Sequence, residues 1–503
     1  VTASKELWRS QGYLAWFTAD TAVAVGTALR GFAIPLIAFS VSHSLATAGW
    51  LATMSAVLQQ GCTLLGGTIV DRHPRKPLII ANAVIQTLLW TMVSALMISG
   101  RLNITVLFAV VGVAACTTGL IGEATDAALR SIIDMQEYSK ARSINEGRDA
   151  TINMAGSPIG GILYGIQPWL PFVCSALVYA IAGGSATRLH LRKRGMPMDT
   201  DAGAGAGADM GSGDRATGAS EAGHRISDVV HAAGIDGSDS ESSGIGAAGI
   251  ATVGIDAAEI SASEIAVSEI QQASSSNGSA QREGHDEART SFTSTSFLSD
   301  FVLGWQWTFH TYRLPLIIVA ASLINFGLNG LQYTIQLHLI NVGTEPFRIG
   351  LMDTGVCIGI LVGSILANRL SDKVHVGKMM CAAFIMAFVF VIPMLVDSNY
   401  WVILICYAFV ALPFPMVNSM LFGFVFSKTD ENLQGRVATV ISVPAQVLSM
   451  FCGGIAGSLL PLTGFTVSMS IFWGAIGISM LIATLSPAIR TIPKSDEWAT
   501  ARL

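Results

Sequence analysis

Ionisable side chains set within long apolar runs are the residues of this sequence best placed to do chemistry, because a charge in hydrocarbon is costly and is kept where it serves a purpose. Asp20 and Arg30 both fall inside the apolar run 13–41. Ten helical residues put them about 15 Å apart along the axis and about 80° apart around it. They are therefore not expected to pair with each other. A carboxyl group in such a place can carry a proton, and a guanidinium can hold a substrate or a gate. The alternative for each is a structural ion pair with a partner elsewhere.

A second group sits where apolar runs end. Glu123 and Asp126 are three residues apart, and Arg130 follows four beyond Asp126, so one helix face carries all three. With Glu146, Arg148 and Asp149 they read as solvated gate networks. Asn325, Asn329, Gln332 and Gln336 step by three or four residues and form a polar stripe. Such a stripe faces a cavity or another helix rather than lipid, which leaves substrate contact and interhelical hydrogen bonding both open. His338 reads as a packed histidine rather than a proton relay. The sequence shows no nucleotide-binding loop, metal-ligand spacing or nucleophile constellation. The expectation is no enzyme, no ATP-driven pump within the chain, no cofactor, no metal and no nucleic-acid partner.

The elements that must position these residues follow from solvent. Of 503 residues, 51% are hydrophobic and 13% charged, against about 25% charged in soluble domains. Mean hydropathy is +0.55. A crossing of hydrocarbon needs roughly 20 apolar residues. Twelve runs qualify: 13–41, 47–70, 78–99, 103–125, 144–166, 169–190, 314–340, 347–370, 378–396, 400–427, 437–461 and 464–487. Basic residues stay on the cytoplasmic side. With the N-terminus inside, the inner loops collect Arg72, Arg75, Lys76, Arg188, Arg192, Lys193, Arg194, Arg369, Lys373 and Lys378, and the outer loops keep Arg101 and Arg348. Both termini are expected in the cytoplasm, with the chain integral to the cell membrane. Lys5 and Arg9 precede a run too long for a cleaved leader, so that run reads as the first span. The seven cysteines all lie in apolar spans and read as packing residues.

The fold class expected is an all-α polytopic membrane protein, with twelve transmembrane helices in two pseudo-symmetric six-helix bundles. Residues 1–194 form the first bundle and 314–490 the second, with a tail over 491–503. Between the bundles, 195–298 is rich in Gly, Ala and Ser and carries 16 acidic residues against four arginines, a net charge of −12, which leaves the rest of the chain at +7. Such a composition cannot bury enough apolar surface to fold, so it reads as a disordered cytoplasmic linker. Phe301, Trp305, Phe309 and Tyr312 then recur at helical spacing, so 299–313 reads as an amphipathic helix at the membrane interface. Two repeats relate the halves. Asp71-Arg72 after the second span answers to Asp372-Lys373 after the eighth, and the segments entering the fifth and eleventh spans, the latter with Arg436, also correspond.

At these residues the chain resembles the major facilitator superfamily. Its signature after the second helix, G-x-x-x-D-R-x-x-R-[RK], is matched in register by Gly67, Asp71, Arg72, Arg75 and Lys76. The resemblance implies that Asp71 docks on the start of the eleventh helix near Gly435 to Val437, with Arg130 as a further partner. The basic residues alone could otherwise be topology anchors. In the fifth span, AGSPIGGILYG resembles the antiporter motif G-x-x-x-G-P-x-x-G-G through Gly156, Pro158, Gly160 and Gly161. It departs from that motif where Ser157 stands before the proline and the glycine pair arrives one residue early. Arg148, the Gly-Ser-Pro turn, Gly304-Trp305 and Arg313-Leu314-Pro315-Leu316 resemble the macrolide-efflux and siderophore-exporter branch. What this implies is a monomeric secondary transporter that exports amphipathic or lipophilic small molecules against inward proton flow, by alternating access. The rival readings are an importer or a lipid or siderophore carrier of the same superfamily, and a transport-dead membrane sensor acting through the acidic linker.

Overall fold

The computed structural model describes residues 11–129, 131–133, 135–189, 313–370, 373–429 and 434–500. The acidic segment 195–298 and the aromatic stretch 299–312 lie outside the described residues. All regular elements among those residues are helical, as expected where hydrocarbon offers the backbone no hydrogen-bond partner. The first half contains α1 (Gln11–Ser42), α2 (Leu45–Arg72), α3 (Arg75–Ile98), α4 (Ile104–Ile121), the short α5 (Ala124–Leu129), α6 (Met135–Ile166) and α7 (Leu170–Thr187). The second half contains α8 (Leu314–Asn341), α9 (Pro346–Leu370), α10 (Val376–Val396), α11 (Tyr400–Ala411), α12 (Phe414–Ser427), α13 (Gln434–Ser449), α14 (Cys452–Leu485) and the short α15 (Pro487–Arg490).

Nine stretches among the described residues are long and apolar enough to cross a membrane. One of them, Val440–Leu485, has 46 residues, about 69 Å at 1.5 Å per residue, or roughly two crossings. Within it α14 breaks into two legs at Gly464, whose φ of +79° is a conformation that side chains rarely adopt. The helices α2 and α6 have 28 and 32 residues but carry more polar groups. Adding them and the second leg gives a count that agrees with twelve. Fixed ends come from side-chain caps: Ser44 accepts from Thr47 N, Asn103 from Thr105 N and Asn399 from Trp401 N.

The two halves repeat one set of partners. In the first, α1 packs on α6 and α7, α3 on α7, and α2 on α4. In the second, α8 packs on α13 and on α14, α10 on α14, and α9 on α11. The bundles meet along two further pairs, α6 with α9 and α2 with α14. Both junctions are backbone contacts that only small residues permit. A Cβ at Gly49 would overlap the carbonyl of Gly453, and one at Gly350 would overlap the carbonyl of Ser157. Trp50 Nε1 donates to Ser458 Oγ at 3.0 Å, Gly454 N to Thr53 Oγ1 at 2.8 Å, and Thr354 Oγ1 to the Met154 carbonyl at 2.9 Å. These contacts cluster toward one end of the bundles, the end holding the short turns after Ser42, Ile166 and Asn341. We call it the distal end, since Gln11 and Arg490 lie at the other.

Inside the second bundle, Gly330 of α8 lies against the ring of Phe472, itself fully buried and 5.3 Å from Phe326. A Cβ on residue 330 would overlap that ring, whereas Gly31 has nothing within 4 Å of its Cβ direction. Overpacking costs about 1–3 kcal/mol, and removing a helical glycine at an open site gains up to about 1 kcal/mol. Gly330→Val is therefore expected to lower the unfolding midpoint of the purified protein in detergent, and Gly31→Ala to keep or raise it. Equal midpoints for the two would contradict this packing.

Candidate functional site

Asp20 sits on α1 with Phe17 and Thr21 beside it on the same face, and α6 brings Arg148 and Asp149 against them. Arg148 Nη2 donates to Asp20 Oδ2 at 2.5 Å, and Nη1 to Thr21 Oγ1 at 3.2 Å. Nε and Nη2 also donate to Asp149 Oδ1 at 2.9 and 2.8 Å. One guanidinium thus serves two carboxylates, lying 5.1 Å over the Phe17 ring. The Arg148 and Asp20 side chains are 11% and 16% exposed and that of Asp149 is 41% exposed, so the expected solvated network at this helix mouth has a buried inner pair and an exposed outer carboxylate. Below it Trp16 Nε1 donates to the Thr125 carbonyl at 2.7 Å, which ties α1 to α5. Asp126 and Arg142 are close enough for their charges to act on Asp20. Arg142 also meets Glu146 at 3.3 Å. Glu123 stands half-buried just before α5.

Arg30 takes a different kind of partner. It is buried, and its guanidinium lies 5.1 Å from the Trp90 ring and 5.9 Å from that of Tyr179. Its Nε has no acceptor among the described residues. The nearby polar groups are already engaged: Trp90 Nε1 donates to Gln86 Oε1 at 2.9 Å, Gln86 Nε2 to Thr118 Oγ1 at 3.0 Å, and Tyr179 Oη bonds Thr27 Oγ1 at 2.8 Å. Asp20 and Arg30 do not pair.

The signature loop is placed in part. Arg75 donates to the Ala127 carbonyl. Lys76 Nζ donates to the Thr187 and Leu189 carbonyls at 2.7 and 2.8 Å, a cation at the C-terminus of α7. Both residues bind within the first bundle. Gly67 and Arg72 are exposed, as is Lys373 beyond α9. The side chains of Asp71 and Arg436, and residues Arg130 and Asp372, lie outside the described residues, and so does the expected docking of Asp71.

The kink motif of α6 lies at the junction with α9. Gly156 and Gly160 face Ala28 and Phe32 of α1, while Ser157, Pro158 and Gly161 face Gly350, Pro346 and Phe347 of α9. The polar stripe of α8 divides into two parts. Asn325 and Asn329 donate back to the carbonyls of Ala321 and Asn325 at 2.8 and 3.0 Å. Gln332 and Gln336 line a cleft with Asp353 of α9 and Tyr407 of α11. His338 stacks on Phe465 at 4.1 Å.

Asp353 escaped the sequence reading. The signal was there, a lone carboxylate seven residues into the apolar stretch that starts at Pro346, picked out by the same rule that singles out Asp20. It interacts with the Ser157 hydroxyl and the Gln332 amide.

The profile of the Major Facilitator Superfamily matches residues 17–443. No curated protein matches the chain at a significant level. Among solved structures, a bacterial homologue of the iron transporter ferroportin, crystallised in an inward-facing state, aligns with a TM-score of 0.60 at 12% identity, covering 98% of this chain and all of its own. A bacterial metal transporter aligns with a TM-score of 0.56 at 12% identity, covering 98% of this chain and 99% of its own. At such identity these likenesses speak for the fold alone. The helical architecture, the paired bundles and the profile over most of the chain agree: this protein belongs to the Major Facilitator Superfamily and is a multi-pass membrane transporter, not an enzyme.

Proposed function

We propose that this transporter is a proton-coupled exporter of amphipathic or lipophilic small molecules, of the macrolide-efflux and siderophore-exporter kind, acting as a monomer in the cell membrane with both termini in the cytoplasm. The observation that carries the reading is the Arg148 cluster. Two carboxyl groups compete for one guanidinium, so a proton on either one leaves the other fully paired. The cluster therefore has two charge states that the same geometry can hold, which is what coupling to a proton needs. It bridges α1 and α6, so a change in its charge acts on a contact inside the first bundle. The glycine-lined junctions at the distal end are where the bundles would part as they rock. On this orientation the distal end faces outward.

A second reading, carriage of a divalent metal ion, draws on the two solved neighbours, which are named for metals. Among the described residues no three His, Cys, Asp or Glu side chains gather as metal ligands, and a guanidinium occupies the space between Asp20 and Asp149. The organic-substrate reading is the better supported of the two.

The test is accumulation of a panel of dyes and antibiotics in cells expressing wild type or Asp20→Asn at equal levels. Wild type should lower accumulation, and the substitution and a protonophore should each abolish the effect. Export that survives both would refute proton coupling through Asp20, and Mn²⁺ uptake into proteoliposomes without any organic substrate would favour the second reading.

The cluster also has a stability signature. Stranding a buried carboxylate, here Asp20, costs about 3–5 kcal/mol, so Arg148→Met should unfold correspondingly earlier in denaturant. The double variant Asp20→Asn/Arg148→Met should cost clearly less than the sum of the single changes. Simple additivity would mean the two side chains do not act as a pair.

A further inference from the structure

The cleft between α8, α9 and α11 in the second bundle contains a carboxylate with no counter-charge among the described residues. Asp353 lies about 10 Å along α9 from its distal end, at 1.5 Å per residue. Among the described residues no Lys, Arg or His pairs with it. Its neighbours are neutral: Ser157 of α6, Gln332 of α8, and Cys357 one turn along its own helix. Across the cleft stands Tyr407, 1% exposed, whose hydroxyl has no hydrogen-bond partner among the described residues and which feels the charge of Asp353. Gln336 adds an amide at the rim, and Leu339 and Met352 supply apolar wall.

Each feature points to the same kind of occupant. An unpaired carboxylate and an unpaired buried hydroxyl are both costly in a membrane interior, and both are relieved by one group that is positively charged and can donate hydrogen bonds. The acceptors are oxygens only: carboxylate, phenol and amide. The rest of the lining is apolar, so the charged group must be attached to an apolar body. The free space within the cleft is about 10 Å³, roughly what one water occupies and far below the ~300 Å³ of pockets that take whole drug-sized ligands. It admits an ammonium head and not the body that carries it.

We propose that Asp353, with Tyr407 and Gln336, forms a recognition site for the ammonium group of a lipophilic amine. The inference rests on the exporter reading and deepens it by giving the exported molecule a positive charge. It also separates two tasks by place, with proton exchange at Asp20 in the first bundle and cation recognition at Asp353 in the second. Since Ser157 belongs to the kink motif of α6 and contacts both Asp353 and Gly350, an occupant of the cleft lies beside the junction that must open at the distal end.

The experiment uses one apolar body with three charges. Purified full-length protein in nanodiscs is titrated with 1-adamantanamine, 1-adamantanol and 1-adamantanecarboxylate, and binding is followed by intrinsic fluorescence and by the shift in unfolding midpoint. The amine should bind at least 10-fold more tightly than the alcohol or the acid. Asp353→Asn should erase that preference, and Tyr407→Phe should weaken the amine several-fold while leaving the alcohol unchanged. If Asp353→Asn does not yield folded protein, Tyr407→Phe and Asp353→Glu decide the matter, since neither leaves the cleft without its carboxylate. Equal binding of amine and alcohol to wild type overturns the proposal. So does undiminished amine preference in Asp353→Asn, unweakened amine binding in Tyr407→Phe, loss of the preference in neither Asp353→Asn nor Tyr407→Phe while Asp353→Glu keeps it, or a site that takes Mn²⁺ but no amine. Binding is read without transport, so the site and the exporter reading can fail separately.

Discussion

The constraint on which this structure depends is the cost of leaving a charge unanswered inside a hydrocarbon layer. Each ionisable group in the described helices meets it differently. Asp20 is answered by a full guanidinium at 2.5 Å, and that guanidinium is shared with a second carboxylate at 2.8 Å. Arg30 is answered by the faces of Trp90 and Tyr179, whose quadrupoles attract a cation without neutralising it. Asp353 is answered only by neutral hydrogen-bonding groups. The series runs from full compensation to partial, and the group with the least compensation lies beside a small cleft. This ordering is why the Arg148 cluster reads as a device with its own internal partners and the Asp353 cleft as one awaiting a partner.

The second physical theme is close approach of backbones. Lipid tails are as apolar as leucine, so helices in a membrane gain little from burying apolar side chains against each other and rely on dense contact. The bundles meet where Gly49, Gly350, Gly453 and Gly457 bring backbone against backbone. Such junctions are tight when closed. Hydrogen bonds from Trp50 and Thr354 add direction to the contact without burying charge. A joint of this kind suits two bodies that separate and meet again as units, as the proposed alternating access requires.

Much of the fold is legible in the sequence because hydrophobic length is a one-dimensional property. The helices follow the twelve apolar runs, and the largest departure is instructive. The fifth run is expected from 144, yet α6 starts at Met135. Its first turns are polar, so hydropathy does not register them, although nothing in Gln136 to Ser143 opposes a helix. The site is less legible because pairing is not local. Asp20 and Arg148 are separated by 128 positions, and no periodicity links them. Arg148 therefore reads as one more charge at a solvated mouth until the fold turns it inward. The polar stripe of α8 is legible as a stripe, but only the packing divides it into two asparagines that bond back to their own helix and two glutamines that line the cleft.

Repetition and asymmetry together carry the last step. The halves use equivalent helix pairings, which fits descent from one bundle, but their charges do not correspond. On α1 the first bundle places Asp20 and Arg30, whereas α8, its counterpart, offers amides in a stripe. On α9 the second bundle places Asp353, whereas α2, its counterpart, has the neutral Gln59 and Gln60 midway along the helix. Gln60 spends its amide on Gln446 of α13 across the bundle boundary at 3.2 Å. Symmetry of the backbone with asymmetry of the charge is the arrangement expected if the rocking motion belongs to both bundles equally while each chemical task belongs to one. A proton exchanged in the first bundle can then influence a ligand held in the second only through the junctions between them. Of those junctions, α6 with α9 touches both places at once, since Arg148 and Ser157 lie on the former and Asp353 on the latter.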